Sequence, residues 1–346
     1  MPKPPEDTLN VAVHATHILQ HTEAGLWCPP GGFHVDPSRP VDRAVITHGH
    51  ADHARPGHRH VLATPGTAAV MRVRYGDEAW DTVQTLDYGQ ALTVGDVTVR
   101  LVPAGHVLGS AQVVLEHGGT RVVVSGDFKR RPDPTCAPFE PVAADVFVTE
   151  ATFALPVFRH PPDGGEVAKL LDSLRLFPDR THLVGAYALG KCQRLIALLR
   201  AAGYDRPIWM HGALVSLCDL YEREGVALGP LRQTADADRK ELAGEIVLCP
   251  PGALNDRWSR AFTDPRPAMA SGWMLVRQRA RQRGIELPMV ISDHADWDEL
   301  TATLDDVGAA SVWVTHGREE ALVHHARGRG LEARALALHG FDEEGS

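Results

Sequence analysis

The stretch His48-Gly49-His50-Ala51-Asp52-His53, which follows Ala44-Val45-Ile46-Thr47, decides how the rest of the chain is read. Three imidazoles and a carboxylate within six residues point to a metal ion. These groups suit zinc and similar first-row ions, and no thiolate stands among them. Histidines at this spacing cannot converge on one point from a regular helix. The segment is therefore expected to be a loop at the end of a buried strand, AVIT. Gly49 and Ala51 fill the intervening slots with small residues, so the ligands can approach one another closely. The plain alternative is a polar surface loop in a chain that holds 19 histidines. It does not account for three further sites of the same type: His106 in AGHVLGSA, Asp127 in VVVSGDF and His316 in VTHG.

The whole chain sets bounds on this reading. A length of 346 residues allows two domains, or one domain carrying a large insertion, and a sizeable core. Hydrophobic content of 44% and charged content of 23% are those of an ordinary globular protein. The five cysteines (Cys28, Cys136, Cys192, Cys218, Cys249) are scattered and form no C-x-x-C pair. That argues against a disulfide framework and for a reducing compartment. The opening MPKPPEDTLN has no apolar core of a signal segment, and no run is long enough to span a membrane, so the expected location is the cytoplasm. A net charge of −9 gives no support to a nucleic-acid partner and does not exclude one, because a binding field is local.

Up to about residue 150 the chain reads as short strands broken by Gly and Pro: HILQHT, GGFHVD, RAVIT, VTVRLVPAG, AQVVLEH, TRVVVSGD and ADVFVTE. Gly118-Gly119 marks a hairpin turn, and HPPDGG from His160 to Gly165 a boundary. From Glu166 helices alternate with buried strands, which predicts βαβ units and a largely parallel sheet. His316 lies in the last stretch, so the tail must fold back onto the residue 48 to 127 cluster. The middle is then an insertion, with residues 165–285 inserted into a domain made of 1–164 and 286–346.

Six or seven donors exceed what one four-coordinate zinc uses, so two ions are expected. His48, His50 and His106 would hold one, Asp52, His53 and His316 the other, and Asp127 would bridge. A pair of this kind activates water and stabilises both the attacking and leaving oxygens of a displacement. Gly105 and Gly109 are expected to let the backbone approach the metals. Asp36, in FHVDP, is expected to orient a ligating imidazole, or else to be a turn aspartate before Pro37. The remaining histidines, such as His14, His58, His60, His182 and His339, have no companion donors and are expected to be solvated or satisfied in the core.

The His-x-His-x-Asp-His pattern resembles that of the metallo-β-lactamase superfamily. AGHVLGSA and SGDFKRRPD resemble segments of the mRNA 3′-end processing endonuclease. TEATFALP, GAYALGKCQRLIALL, ISDHADWDEL and WVTHGREEALV resemble, in order, the motifs that open, build and close the β-CASP insertion of metallo-β-lactamase nucleases. The run from Gly25 to Arg55, GLWCPPGGFHVDPSRPVDRAVITHGHADHAR, is similar to bacterial ligase-associated DNA exonucleases, departing near Gly32 where family members carry an acidic residue. The resemblance covers residues 27 to 325. It implies an αββα-type metallo-β-lactamase sandwich (class α/β) with an inserted βαβ-type β-CASP domain. It also implies two Zn2+ (or Mn2+) as cofactors and a dinuclear phosphodiesterase.

By the same resemblance Glu150 and His294 are the acid and the histidine at the two ends of the insertion. Phosphodiester hydrolysis needs a proton delivered to a poor leaving group, and an imidazole held by a carboxylate is a suitable donor near neutral pH. Without the family pattern, His294 reads as a residue near a helix start capped by Asp293 or Asp296. Asp52 is counted with the catalytic groups as well as the ligands. For phosphate contacts, Lys129, Arg130 and Arg131 are expected at the active-site rim, and Lys191 at a helix N-terminus that favours phosphate. Arg277, Arg279, Arg281 and Arg283 form a further basic run, either a solvated face or a binding one.

The resulting expectation is a DNA exonuclease running 5′ to 3′ in DNA repair, with DNA strand ends as partner and an ATP-dependent DNA ligase and a helicase as functional partners. The alternative is an RNA-processing ribonuclease, because histidine at position 316 is the residue type of RNA-processing β-CASP enzymes. A small-molecule hydrolase of the superfamily would lack the insertion. A scaffold with a degraded site would lack ligands that are all filled here.

Overall fold

A computed structural model describes residues 16–336. The chain divides into two compact units, one of residues 1–159 and 294–346 and the other of residues 160–293. The sequence pattern places the division at 165 and 285 instead. The helix Asp163–Leu176 begins inside the PPDGG stretch that reads as a boundary. Among the described residues no helix is long and apolar enough to cross a membrane.

Two sheets form the centre of the first unit. One has six strands in chain order: Gln20–Thr22, Gly25–Cys28, Phe33–Val35, Arg43–Val45, His58–Ala63 and Trp80–Thr85. The other has seven, in the order Glu332–Ala335, Ser311–Gly317, Val146–Ala151, Thr120–Val124, Ala111–His117, Val97–Pro103 and Ala91–Val94. Strand side chains alternate between the two faces of a sheet, and here both faces are apolar. Val113, Leu115, Val122, Val124, Val146 and Val148 pack toward Leu26, Phe33, Val35 and Val45 of the other sheet. Val114, Val123 and Phe147, the residues between them, pack toward Leu300 and Leu304 of the helix Trp297–Val307 and Leu322 and Ala326 of the helix Glu319–Gly328. The first sheet is covered in turn through Ile46, Val61 and Ala63 by Ala68 and Met71 of the helix Pro65–Tyr75. The layers therefore run helix, sheet, sheet, helix. Each buried Val, Leu or Phe contributes roughly 1.5–3 kcal/mol, so the doubly apolar strands fix the sandwich.

The hairpin at Gly118-Gly119 is as expected. His117 faces Thr120, and both glycines have positive φ, 58° and 82°, which a tight two-residue turn between right-twisted strands requires. The strands His58–Ala63, Trp80–Thr85 and Ala91–Val94 and the helix Pro65–Tyr75 add to what the sequence pattern predicts. The helix start is legible in retrospect: Thr64 caps it, accepting from the Thr67 amide, and Pro65 stands in the first turn. HILQHT gives a strand only at Gln20–Thr22. The last strand is described over Glu332–Ala335. Ala337 and Leu338 of its expected span lie outside the described residues, as do His14 and His339.

The second unit is a six-stranded sheet with every pairing parallel, ordered Leu231–Gln233, Ile208–Met210, Ile246–Cys249, His182–Gly185, Arg266–Ala270 and Leu287–Met289. The helices Asp163–Leu176, Lys191–Ala201 and Val215–Arg223 alternate with the strands His182–Gly185, Ile208–Met210 and Leu231–Gln233. Ile246–Cys249 and Arg266–Ala270 follow with only short 3-10 turns between them, and the helix Arg277–Gln282 precedes Leu287–Met289. The central strands His182–Gly185 and Ile246–Cys249 are buried along their length, as sheets covered on both faces require.

Candidate metal centre

The strand Arg43–Val45 ends against its neighbours, with Ile46 N–H donating to the Leu62 carbonyl, and the chain then turns into the histidine loop. Amides of His53 and Ala54 donate to the His50 carbonyl, at 3.2 and 2.7 Å, closing a turn that brings His48, His50 and His53 to one side. Arg74, on the helix Pro65–Tyr75, holds the loop from outside by donating to the Gly49 carbonyl at 2.8 Å.

Asp36 lies beneath this loop, buried and with a φ of 44°, a backbone conformation uncommon outside glycine. Its Oδ1 accepts from the Thr47 amide at 2.8 Å. Its Oδ2 accepts from the Thr47 hydroxyl at 2.6 Å and lies 2.8 Å from His53 Nδ1. An ionised carboxylate can only accept, so His53 carries its proton on Nδ1 and turns Nε2 into the site. The Thr47 hydroxyl spends its one proton on Asp36, so His48 Nδ1, 3.0 Å away, must be the donor to it. His48 Nε2 is thereby left as a lone pair, buried and without a hydrogen-bond partner. Asp36 thus does more than cap a turn. Thr47 is not singled out by the sequence pattern, although it stands directly before His48.

The other donors arrive from strand ends of the second sheet. His106 follows Val97–Pro103, Asp127 follows Thr120–Val124, and His316 lies in Ser311–Gly317 with a φ of 56°. Asp127 is the hub. Its Oδ2 lies 3.5 Å from the Nε2 atoms of both His48 and His53, 3.8 Å from that of His106 and 3.9 Å from Nδ1 of His294. Its Oδ1 is buried with no hydrogen-bond partner. His50 Nδ1 lies 3.0 Å from His106 Nε2. Donor atoms of His48, His50, His106 and Asp127 fall within 4.8 Å of one another, as do those of His53, Asp127 and His316. Asp52 is the one expected ligand outside both sets. It is half-exposed, with Oδ2 3.8 Å from His53 Nε2.

Burial and neighbouring histidines push His48 and His316 well below the usual imidazole range. Burial also works against the His53 cation, but the carboxylates of Asp127, Asp52 and Asp36 outweigh it and lift its pKa to about 10. Burial raises the Asp127 carboxyl to about 7 against the pull of His53 and His294. A buried nest of imidazole lone pairs around one carboxylate is the environment a divalent cation satisfies. The donors fit zinc: nitrogen and oxygen only, with the Asp36 carboxylate behind the ligating imidazoles.

Glu150 and His294 stand at the wall of this cluster. Glu150 is buried, with Oε1 accepting from the Phe128 amide at 2.8 Å and Oε2 3.0 Å from His294 Nδ1. The His294 ring lies 4.7 Å from that of His106, centroid to centroid. The helix that follows is capped by Asp296, not by His294 or Asp293.

The expected phosphate-binding rim is corrected by the structure. Lys129 is buried, 1% exposed, with Nζ donating to the His294 carbonyl at 3.2 Å and lying 3.7 Å from Glu299 Oε2. Arg130 pairs with Asp306, and Arg131 with Asp296. Their partners lie far along the chain on the acidic face of the helix Trp297–Val307, which the local sequence does not reveal. Lys191, in the second unit, is likewise buried, 3.1 Å from Asp293 Oδ1 and over the Tyr187 ring. In the basic run, Arg277 and Arg281 are exposed or nearly so, while Arg279 stacks on Trp273 at 4.0 Å. Gly105 and Gly109 let neighbouring backbone segments approach closely beside His106. A side chain on Gly105 would meet the Lys129 carbonyl at 2.3 Å and one on Gly109 the Thr67 amide at 2.1 Å, so both serve backbone packing around His106.

Residues 15–183 match the beta-lactamase superfamily domain. A ribonuclease of Thermus thermophilus is 30% identical over 91% of this chain and 89% of its own length. The chain belongs to the metallo-β-lactamase-fold β-CASP nuclease family. A probable DNA ligase of Opitutus terrae is 31% identical to this β-CASP chain over 90% of it, matching 30% of the relative. The chain therefore spans under a third of that protein's length. A protein of unknown function from Enterococcus faecalis V583 shares the fold, with a TM-score of 0.55 at 12% identity over 87% of this chain and 80% of that one.

Proposed function

We propose that this chain is a two-metal DNA exonuclease. The observation that carries the chemistry is the Glu150–His294 pair, 3.0 Å apart, in the wall of the histidine cluster around Asp127. His48, His50 and His106 would hold one zinc, His53 and His316 the other, with Asp127 between them and Asp52 as the half-exposed additional donor. Manganese suits the same donors less closely than zinc. Bound metal would supply Lewis-acid polarisation of a phosphoryl oxygen and a water nucleophile at neutral pH. Glu150 keeps the His294 imidazole oriented, so that it can deliver a proton to the departing sugar oxygen. Asp36 and Thr47 fix the tautomers of His48 and His53 and so the direction of their lone pairs.

For DNA as substrate the support is the likeness of 90% of the chain to part of a protein named for DNA joining. It agrees with the resemblance of residues 25 to 55 to ligase-associated exonucleases. On this reading the chain acts in the cytoplasm on strand ends, 5′ to 3′, in DNA repair beside an ATP-dependent ligase and a helicase. Residues 165–285 would be its β-CASP domain. A ribonuclease is the second reading, favoured by the match along the Thermus thermophilus ribonuclease and by histidine at position 316. End-labelled single- and double-stranded DNA and RNA of one sequence, digested side by side, separate the two. Faster loss of DNA, with nucleotides released from the 5′ end, supports the first reading; faster loss of RNA replaces it with the second.

A further inference from the structure

We infer that Lys129 is a positioning residue for His294, and that the tripeptide Asp127-Phe128-Lys129 sets the distance between the metal cluster and the proton donor. The inference rests on the reading of His294 as that donor. An ammonium buried to 1% exposure carries a large desolvation cost unless it is paired and hydrogen-bonded. A phosphate contact does not require such burial, because a rim lysine keeps its charge in water. Lys129 Nζ meets its cost with the His294 carbonyl at 3.2 Å and the Glu299 carboxylate at 3.7 Å.

The neighbouring contacts point the same way. The Phe128 amide donates to Glu150 Oε1, whose partner oxygen lies against His294 Nδ1. The Phe128 carbonyl accepts from the Ala295 amide at 2.7 Å, and the Arg131 amide donates to Glu299 Oε1 at 2.8 Å. Glu299 in turn closes the capping box with Asp296 at the start of the helix Trp297–Val307. The Lys129 amide donates to the Ala104 carbonyl at 3.0 Å, two residues before His106. The imidazole of His294 is thus held by Glu150, its backbone by Lys129 and Phe128, and all three holds start within two residues of Asp127. Loss of the Lys129 ammonium frees the His294 carbonyl while Arg131 and Asp296 still occupy Glu299. The expected consequence is a displaced imidazole on an intact fold.

The test compares the wild type, Lys129→Met, His294→Ala and the double variant, loaded with zinc, on a short end-labelled single-stranded DNA and its RNA counterpart. Metal content and thermal unfolding are recorded for each. Lys129→Met is expected to lower kcat by ~10- to 100-fold, the scale of a misplacement near 1 Å, with KM and metal content unchanged. Combined with His294→Ala it should add nothing further, because both changes disable the same group. Lys129→Arg, which keeps a donor near the carbonyl, should recover most of the lost kcat and serves if the Met variant does not fold. A raised KM with intact kcat would show a substrate contact, and multiplicative losses in the double variant would show an independent structural role; either overturns the inference. A wild type inert on both polymers removes the nuclease reading and this inference with it. An active wild type with an unimpaired Lys129→Met removes the inference alone.

Discussion

Asp36 and His53 are joined by a 2.8 Å contact from Nδ1 to Oδ2, and that contact decides which nitrogen of His53 faces Asp127. The same carboxylate reaches His48 through the Thr47 hydroxyl. One buried residue outside the histidine motif therefore orients two of its three imidazoles. Asp36→Ala should reduce zinc affinity by roughly 10- to 100-fold, the usual effect of losing an outer partner of a ligating histidine. Competition against a chelator of known affinity measures it, and an unchanged affinity would show that loop geometry alone aligns the rings.

Asp127 is expected to be the most damaging single loss. Its Oδ2 is within 3.9 Å of four imidazoles, so Asp127→Ala removes the one anion around which they gather. Elemental analysis should find both ions lost together and activity with them. Loss of only one ion would mean that the carboxylate serves a single site.

How much of this is legible in the sequence follows from the range of each interaction. The loop at residues 48 to 53 is a local pattern, and so are the strand-end donors His106, Asp127 and His316; the structure brings their donor atoms together as that pattern implies. The apolar runs AQVVLEH and TRVVVSGD and their Gly118-Gly119 turn are equally local. What the sequence does not reveal is how Lys129, Arg130, Arg131 and Lys191, expected to meet phosphate, are paired. A basic run looks the same in sequence whether it faces water or a carboxylate far along the chain, and these residues face Asp306, Asp296, Glu299 and Asp293. The strand Trp80–Thr85 escapes a sequence reading because its residues beyond Trp80 are exposed at a sheet edge and leave no apolar alternation to read.

His294→Ala should keep its metals and lose turnover by ~10²–10⁴-fold, the range of general acid–base help. Glu150→Gln should also lower turnover with the metals kept, since an amide offers one acceptor where both Glu150 oxygens accept, from the Phe128 amide and from His294 Nδ1. Single-turnover rates at saturating substrate measure both. A collapse of metal content in the His294 variant would make it a ligand instead.

Zinc uptake should release protons. In the metal-free chain His53 is held protonated up to about 10 and the Asp127 carboxyl up to about 7, and both must be deprotonated to bind metal. Because the folded pKa of His53 lies above its ordinary value, its contribution to the metal-free fold is full below about 6.5 and is lost as pH climbs toward 10. Zinc affinity should therefore rise between about pH 6 and about pH 8, below the His53 pKa, while the metal-free protein loses part of the stability that this histidine contributes as pH passes about 6.5. Calorimetry in buffers of different ionisation enthalpy counts the protons, and an uptake without proton release would contradict the assignment.

The substrate prediction bears on the whole reading. Two-metal hydrolysis needs no 2′-hydroxyl, so DNA is chemically as accessible as RNA, and selection between them must lie in binding. The cationic residues Lys129, Arg130 and Arg131 are paired with carboxylates, so on the two-metal reading phosphate attraction near Asp127 would fall chiefly to the bound ions. Two consequences follow. The salt dependence of KM should be shallow, with a log–log slope corresponding to few released counterions, since each neutralised phosphate on a single strand contributes about 0.7. A linear single strand labelled at its 5′ end should release mononucleotides or short oligonucleotides from that end, while a circular strand of the same sequence persists. Cleavage of the circle would show endonuclease action. RNA degraded much faster than DNA would show that the residue at position 316 was the better guide to the substrate than the similarity across residues 25 to 55.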